Sequence, residues 1–187
     1  MKIKSIIFFV FIFFGHLQSV EWLTELRGGY FYPTSKKFRE IYKSGGPEGE
    51  LEIAAIFKKN WIAWGNVNYF QRNGHSIGFH DKTFIRMIPI SLGIKYQFLA
   101  CGRVSPYLGF GATYTFSQIT NDSDFVKRDV KKGGFGFVVK SVTYIKLSDH
   151  FLMDLFADYY YQKIHFYDSN KVDMGGFRMG AGLGYRY

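Results

Sequence analysis

The sequence predicts an all-β fold in which eight antiparallel strands close into a transmembrane barrel. Three observations support this prediction. Apolar and polar residues alternate in eight stretches, long polar connections alternate with short turns, and 20% aromatic residues occur with 21 glycines and only four prolines. Successive side chains of a strand point to opposite faces, so the alternation predicts one apolar face for each strand. In a transmembrane barrel this face meets lipid and the opposite face lines the interior.

The alternation is clearest in the last stretch, residues 176–187, which reads GFRMGAGLGYRY. At this point the chain resembles bacterial outer-membrane β-barrels, whose final strand ends in an aromatic residue that the barrel assembly machinery recognises. The residues that match this assembly signal are Gly180, Gly182, Tyr185 and Tyr187. The resemblance implies that the assembly machinery is a partner during biogenesis. The terminal residue is Tyr, where Phe is commoner in the family.

Residues 1–19 have the pattern of a signal peptide. Lys2 and Lys4 form a basic start, and an apolar run of 11 residues follows over positions 5–15. This run is too short for a helix that spans a bilayer, which needs about 20 residues. We therefore expect cleavage after Ser19 and a barrel domain over residues 20–187, with an uncleaved anchor as the alternative. Export also argues against nucleic acid as the partner of the net charge of +9.

Eight strands are expected in chain order, over residues 22–33, 48–57, 61–72, 83–99, 107–117, 134–147, 151–162 and 176–187. Pro89 lies inside the fourth strand. Because proline donates no backbone hydrogen bond, we expect it to lie at a bulge or beyond the paired core of the strand. In the sixth strand the sequence does not decide which alternate residues point inward, because Lys140 and Ser141 interrupt the pattern in both assignments.

Long polar connections are expected after the first, third, fifth and seventh strands, and short turns after the second, fourth and sixth. The long ones cover residues 34–47, 73–82, 119–133 and 167–173. Outer-membrane barrels have this layout, with long loops outside the cell and short turns in the periplasm. A soluble barrel of the lipocalin kind would put its apolar face inside. The whole mature chain resembles the small OmpA-, OmpX- and OmpW-like barrels, which implies a location in the bacterial outer membrane.

The interior of an eight-stranded barrel is just wide enough to be filled by side chains. The charged residues expected to point inward are Glu25, Arg27, Glu50, Glu52, Lys95, Asp154, Asp158, Arg178 and Arg186. Because an unpaired buried charge is very costly, both signs together predict ion pairs. The register estimated from the turns predicts two of them, Asp158–Arg178 and Glu25–Arg186, the second on the seam that closes the barrel. A proton or ion path is the alternative.

Positive charge concentrates in the expected outer loops. The basic loop patch consists of Lys36, Lys37, Arg39, Lys127, Arg128, Lys131 and Lys132. Lipopolysaccharide phosphates cover the cell surface, and Lys and Arg would neutralise them. We therefore expect a non-enzymatic structural or surface-interaction protein that contacts outer-membrane lipids and lipopolysaccharide, or another extracellular polyanion.

A lipid A-modifying enzyme is the first alternative, because barrels of this size include deacylases and palmitoyltransferases. The deacylases use a His and a Ser two positions apart with a nearby Glu, but His75 and Ser76 are adjacent here and lack that Glu. The palmitoyltransferases combine an Asp-Ser pair with a His in the first outer loop. Asp122 and Ser123 are present here, but the first loop has no His.

An OmpW-like lateral route for small hydrophobic solutes is the second alternative. It would need an apolar upper interior, for which the inward-facing Ile62, Trp64 and Phe70 give some support. The histidines show no ligand spacing, so we expect neither a metal nor another cofactor. Cys101 has no partner in the chain and is expected to be a free thiol or to form an intermolecular link.

Overall fold

The computed structural model describes residues 20–76, 81–99, 102–122, 129–167 and 170–187. They contain one helix, α1 (Lys36–Tyr42), and nine strands: β1 (Glu21–Pro33), β2 (Gly46–Phe57), β3 (Trp61–His75), β4 (Lys82–Gln97), β5 (Val104–Asn121), β6 (Asp129–Lys146), β7 (Phe151–Tyr167), β8 (Asn170–Asp173) and β9 (Gly176–Arg186). The predicted signal peptide and Cys101 lie outside the described residues.

Eight of the nine strands form a closed antiparallel barrel. Strands β1 to β7 each pair with the next one, and β9 pairs with both β7 and β1. At the closing seam, Trp22 and Tyr187 exchange two backbone hydrogen bonds of 3.0 Å. The short β8 pairs only with the far end of β7. The predicted eight-stranded antiparallel barrel is therefore confirmed, as is the proximity of Tyr187 to Trp22.

The outward face of the barrel carries an exposed apolar belt. Leu26, Leu92 and Leu183 expose 69%, 67% and 62% of their surface. The residues that alternate with the belt are buried, and many of them are polar or charged. This arrangement suits lipid, because a closed barrel satisfies its own backbone hydrogen bonds and can present apolar side chains to the bilayer.

Several strands extend further than predicted at the end of the barrel with the long connections, which we call the outer end. Strand β3 continues to His75, β5 continues to Asn121, and β6 begins at Asp129. The loops predicted over 73–82 and 119–133 are therefore wrong in extent. In the extensions of β3 and β5 polar residues occupy both faces, so the alternation that marks a strand disappears from the sequence although the pairing continues.

Pro89 lies within the paired core of β4, and the predicted bulge or end of pairing is wrong. On the β3 side, Val67 pairs with Ile90 and Phe70 pairs with Met87, so the register is the same above and below the proline. The ladder simply skips two residue pairs there, while Pro89 stays paired with Thr115 of β5. The missing N–H is thus accommodated by a local gap in one ladder.

Strand β6 is irregular at Lys140 and Ser141, the two residues that left its facing undecided in the sequence. Val138, Lys140 and Tyr144 are buried in the interior, which settles its facing. The pairing with β7 skips residues 140 and 141. There the Ser141 hydroxyl donates a 2.8 Å hydrogen bond to the carbonyl of Ala157 in place of a regular ladder bond.

Helix α1 replaces part of the loop predicted over residues 34–47, which is a second correction. Ser35 caps the helix, and its hydroxyl accepts a hydrogen bond of 3.4 Å from the amide of Phe38. Phe38 and Tyr42 lie on one side of the helix and are buried over the outer end of the barrel. Seven residues surrounded by lysines carry too little periodic signal to predict a helix. Within the described residues, no helix is long and apolar enough to cross a membrane.

Candidate functional site

The interior of the barrel contains a cluster of charged side chains from six strands. The members of this interior charge cluster are Glu25, Arg27, Glu48, Glu50, Glu52, Lys95, Lys140, Asp154, Asp158 and Arg178. None of them exposes more than 4% of its side chain. They lie inside because each occupies an inward position of a regular strand.

Two glutamates of β2 organise the cluster. Glu50 accepts hydrogen bonds of 2.7 Å from Arg27 Nη1 and 2.6 Å from Lys140 Nζ. Glu52 accepts a bond of 2.5 Å from Lys140 Nζ and a further bond from Lys95. These charge-assisted bonds connect β2 with β1, β4 and β6 across the interior. The cluster therefore connects opposite parts of the barrel wall through the interior.

The predicted pair Asp158–Arg178 is correct in register but wrong in partner. The two residues lie directly opposite each other on β7 and β9. However, the Arg178 guanidinium contacts Glu48 and lies 2.8 Å from Glu50, while the Asp158 carboxylate lies 3.3 Å from Arg27. The interior is narrow enough for these long side chains to reach partners beyond the neighbouring strand.

The predicted pair Glu25–Arg186 is wrong. Arg186 lies opposite Leu23, at the rim with the short turns, and its guanidinium lies 3.4 Å from Glu21. Glu25 lies opposite Gly184 and accepts a 2.9 Å hydrogen bond from Tyr144 inside the barrel. A displacement of two residues along a strand, about 7 Å, separates the predicted partners.

Tyrosine hydroxyls add hydrogen bonds to the interior charge cluster. Tyr107 donates to Asp154 at 2.9 Å and accepts from Arg27 at 3.2 Å. Tyr160 accepts from Arg178 at 2.7 Å. Sequence reasoning missed the roles of Lys140 and of these tyrosines as partners of charges, because the partners lie on distant strands.

Apolar side chains pack at the outer end of the interior. This outer apolar layer consists of Phe31, Phe38, Tyr42, Phe70, Ile85, Met87, Ile164 and Met174. A second cluster includes Ile62 and Trp64, which lie closer to the short turns. The three aromatic or aliphatic residues proposed for a lateral route thus point inward as predicted but belong to different clusters. The apolar upper interior is present, and side chains from the wall and from α1 fill it.

The residues of the assembly signal lie at the closing seam. Tyr185 and Tyr187 face outward and are exposed. At Gly182 an added Cβ would lie 2.7 Å from the Arg27 side chain, and at Gly180 it would lie 2.9 Å from the Phe156 ring. Gly182 therefore makes room for the Arg27 side chain, and Gly180 for the backbone of β1 and the Phe156 ring. Their role in assembly stays a prediction.

The basic loop patch is divided between α1 and β6. Lys36 and Lys37 are exposed on α1, and Lys131 and Lys132 are exposed on β6. Arg39 has a structural role, since its Nη1 donates 2.7 Å hydrogen bonds to the carbonyls of Pro33 and Thr34. Its part in the basic loop patch stays a prediction. Lys127 and Arg128 lie outside the described residues.

A row of polar side chains crosses the outer wall of four neighbouring strands. Arg86 of β4 lies opposite Gln71 of β3 on one side and Gln118 of β5 on the other, and Gln118 lies opposite Lys131 of β6. Directly opposed residues point to the same face of a sheet. We call these four residues the outer-wall row. On β5, Gln118 is the next outward position after the exposed Phe116. The row depends on the register of three ladders, so no local sequence pattern could reveal it.

Within the described part of the chain, no group of three or more His, Cys, Asp or Glu side chains is placed to hold a metal ion. The His75–Ser76 pair considered for catalysis lies at the end of β3. Ser76 is engaged in a turn there, where its hydroxyl accepts a 3.1 Å hydrogen bond from the amide of Asp81. Ser123, the other serine considered, lies outside the described residues.

No protein family model and no curated protein matches the chain. Several solved structures share its fold. OprG, an outer-membrane protein of Pseudomonas aeruginosa, has a TM-score of 0.64 at 14% identity, covering 91% of this chain and 97% of OprG. Neisserial surface protein A has a TM-score of 0.59 at 12% identity, covering 90% and 97% of the two chains. Ail of Yersinia pestis, solved with the heparin analogue sucrose octasulfate, has a TM-score of 0.57 at 14% identity, covering 91% and 100%.

These identities are low, so the likeness establishes the fold. Its agreement with the exposed apolar belt and the closed wall leads to one conclusion. The chain has the fold of the small eight-stranded β-barrels found in bacterial outer membranes.

Proposed function

We propose that this barrel is a non-enzymatic surface protein whose outer wall binds anionic groups of the lipopolysaccharide leaflet. The observation that carries the proposal is the outer-wall row. Arg86 and Lys131 are exposed on the outward face, and neither forms an ion pair with any described carboxylate. Their strands are two positions apart, which separates the two backbones by about 10 Å.

The position of the row suits phosphate groups at the surface of a membrane. Tyr69 and Phe116 precede it on the outward faces of β3 and β5, and the Tyr69 hydroxyl donates a 2.8 Å hydrogen bond to Gln71. Aromatic side chains of this kind mark the interface between apolar lipid and polar headgroups. Guanidinium and ammonium groups just beyond them can bind phosphate oxygens, and the glutamine amides can donate further hydrogen bonds.

The packed interior supports a non-enzymatic role. Its charged side chains are engaged with each other and with tyrosines, as expected for a structural core. Catalysis would instead need a nucleophile or base that can reach a substrate. Ser76, the described serine considered for catalysis, has a hydroxyl that already accepts a turn hydrogen bond.

The test is a titration of the refolded barrel with lipopolysaccharide in detergent micelles, using Arg86→Gln combined with Lys131→Gln. Two exposed charged contacts of about 0.5–1 kcal/mol each predict a loss of affinity of roughly five- to thirtyfold. The loss should shrink as salt rises, because exposed charges are screened within about 10 Å at ~0.1 M.

The matched control is Lys58→Gln combined with Lys59→Gln, which removes two charges from a short turn at the other end of the barrel. This control should bind as the unmodified protein does. Equal affinity of the outer-wall variant and the control would contradict the proposal.

A further inference from the structure

A cavity of about 320 Å³ opens at the outer end of the barrel, beside α1. Its lining residues are Lys43, Gln71, Arg72, Asn73 and Phe84, and we call it the outer pocket. Its volume is within the range of about 300–1,000 Å³ that is usual for small-molecule sites. The outer pocket lies apart from the interior charge cluster. It shares Gln71 with the outer-wall row, whose Arg86 lies 5.8 Å from the centroid of the Phe84 ring.

The pocket exists because β3 is longer than one of its two neighbours. Pairing with β2 ends at Glu48 and Phe70, whereas pairing with β4 continues to His75 and Lys82. From Gln71 onward, β3 therefore has an edge that β2 does not cover.

Helix α1 approaches this edge at Gly74. A Cβ added to Gly74 would lie 2.7 Å from the Tyr42 ring, so the absence of a side chain allows the helix to approach closely. Lys43 ends the helix with a left-handed φ of 60°. The helix end and the uncovered edge of β3 together form the pocket wall.

Two cationic side chains line the pocket. The guanidinium of Arg72 and the ammonium of Lys43 form neither a hydrogen bond nor an ion pair with any residue that the structure describes. A Cβ added to Gly46 would lie 3.3 Å from the Arg72 side chain, so glycine leaves room for the arginine there. An arginine fork and a lysine ammonium that share one concave site are suited to a carboxylate or a phosphate.

The remaining lining residues can contact the uncharged parts of a ligand. Asn73 and Gln71 offer amide groups that can both donate and accept hydrogen bonds. Phe84 lies opposite Asn73 across the β3–β4 ladder and contributes an aromatic surface. Alternating hydroxyl groups, an apolar C–H face and one negative charge are the features of an acidic sugar.

We propose that the outer pocket binds a single sugar residue that carries a carboxylate or a phosphate. Arg72 and Lys43 bind the charged group, the amides of Asn73 and Gln71 bind hydroxyls, and Phe84 packs against the apolar face of the ring. The inference deepens the proposed surface-interaction function, on which it rests. It depends on Arg72 and Lys43, whereas contact with the lipid leaflet depends on Arg86 and Lys131, so the two proposals can fail separately.

The test uses the refolded barrel in detergent micelles and ligand-observed saturation-transfer NMR with glucuronate, glucose 6-phosphate and neutral glucose. Glucuronate and glucose 6-phosphate should bind at least tenfold more tightly than glucose. Arg72→Gln should lower the affinity for the two acidic sugars at least tenfold. Phe84→Leu should weaken saturation transfer to the protons of the sugar ring. Lys37→Gln is the matched control, because it removes an exposed charge of α1 outside the pocket.

Heat-dependent gel migration of each variant shows that it is folded. Equal binding of glucose and glucuronate, or unchanged binding by folded Arg72→Gln, would overturn the proposal. The variant with Arg86→Gln and Lys131→Gln should still bind glucuronate. If it does so while losing lipopolysaccharide, both proposals stand, and if it retains lipopolysaccharide, the proposed function fails alone.

Competition identifies the source of the sugar. Core oligosaccharide released from lipopolysaccharide and a hyaluronan tetrasaccharide each carry acidic sugars, the first from the bacterium and the second from outside it. Displacement of glucuronate by either one supports the pocket and names the source. Failure of both to compete would count against an acidic sugar as the ligand.

Discussion

The Lys140 ammonium lies 2.6 Å from the Glu50 carboxylate, although β6 and β2 are on opposite sides of the barrel. The same ammonium contacts Glu52 at 2.5 Å, so one side chain connects the far wall to two carboxylates. A barrel held in this way has an interior that functions as a polar core. The outer end carries cations, Arg72 and Lys131 among them, that form no ion pair within the described part of the chain.

Replacing Lys140 with Ala should destabilise the barrel strongly. Glu50 and Glu52 keep other cationic neighbours, but the six carboxylates of the interior charge cluster would then face three cations instead of four. Such an unbalanced buried charge costs up to about 3–5 kcal/mol. The temperature at which the folded form is lost on gels should fall accordingly. Lys131→Ala, which changes an exposed lysine of the same strand, should leave that temperature nearly unchanged. Equal effects of the two changes would show that the interior ion pairs contribute little.

Glycines on the two faces of the barrel should respond differently to an added side chain. Gly182→Ala places a Cβ 2.7 Å from Arg27 and 3.0 Å from the Leu26 carbonyl, so it should destabilise the fold by about 1–3 kcal/mol. Gly28→Ala is the matched control, since a Cβ there meets nothing within 4 Å. Urea unfolding in vesicles measures both. A larger loss for Gly28→Ala would contradict the assigned facing.

Tyr187→Asp should leave synthesis intact and lower the fraction of protein assembled in the outer membrane. The resemblance makes this residue part of the assembly signal, and a charge on the lipid-facing row carries its own cost. Tyr30→Asp separates the two effects, because Tyr30 is also exposed and outward but lies in β1. A comparable assembly defect in both variants would assign the effect to charge alone. Normal assembly of Tyr187→Asp would show that Tyr187 is not part of an assembly signal.

The turn between β6 and β7 should show a pH response of known sign. A hydrogen bond from Lys146, together with its charge, lowers the pKa of the Asp149 carboxyl below its ordinary value. The contact therefore stabilises the turn above the unfolded pKa and is lost as pH falls through the lowered pKa. Lys146→Ala should raise the titration midpoint of Asp149 in NMR spectra. An unchanged midpoint would show that the contact does not persist in solution.

Local alternation was sufficient to predict much of the fold. The inward Glu50 and Glu52 and the outward Leu51 and Ile53 are where their positions in β2 indicated. A strand that spans lipid needs one apolar face, so its pattern repeats regularly. This constraint ends at the lipid boundary, which is why the strand extensions and α1 were missed.

The sites depend on information that is not local. The outer-wall row requires the relative register of four strands, and the outer pocket requires β2 to end before β3 does. An error of two residues was enough to assign Arg186 to Glu25 when its partner is Glu21. Charged residues with long side chains also reach past their neighbours, as Arg178 does toward Glu50.

The central claim is that the cationic end of a closed barrel faces the outside of the cell. Labelling of single cysteines in intact cells, with a maleimide that does not cross membranes, tests it most directly. In a Cys101→Ser background, Lys37→Cys on α1 should be labelled without permeabilisation, and Lys59→Cys in the β2–β3 turn should be labelled only after it. The reverse pattern, or labelling of both positions in intact cells, would contradict the orientation and the surface function that depends on it.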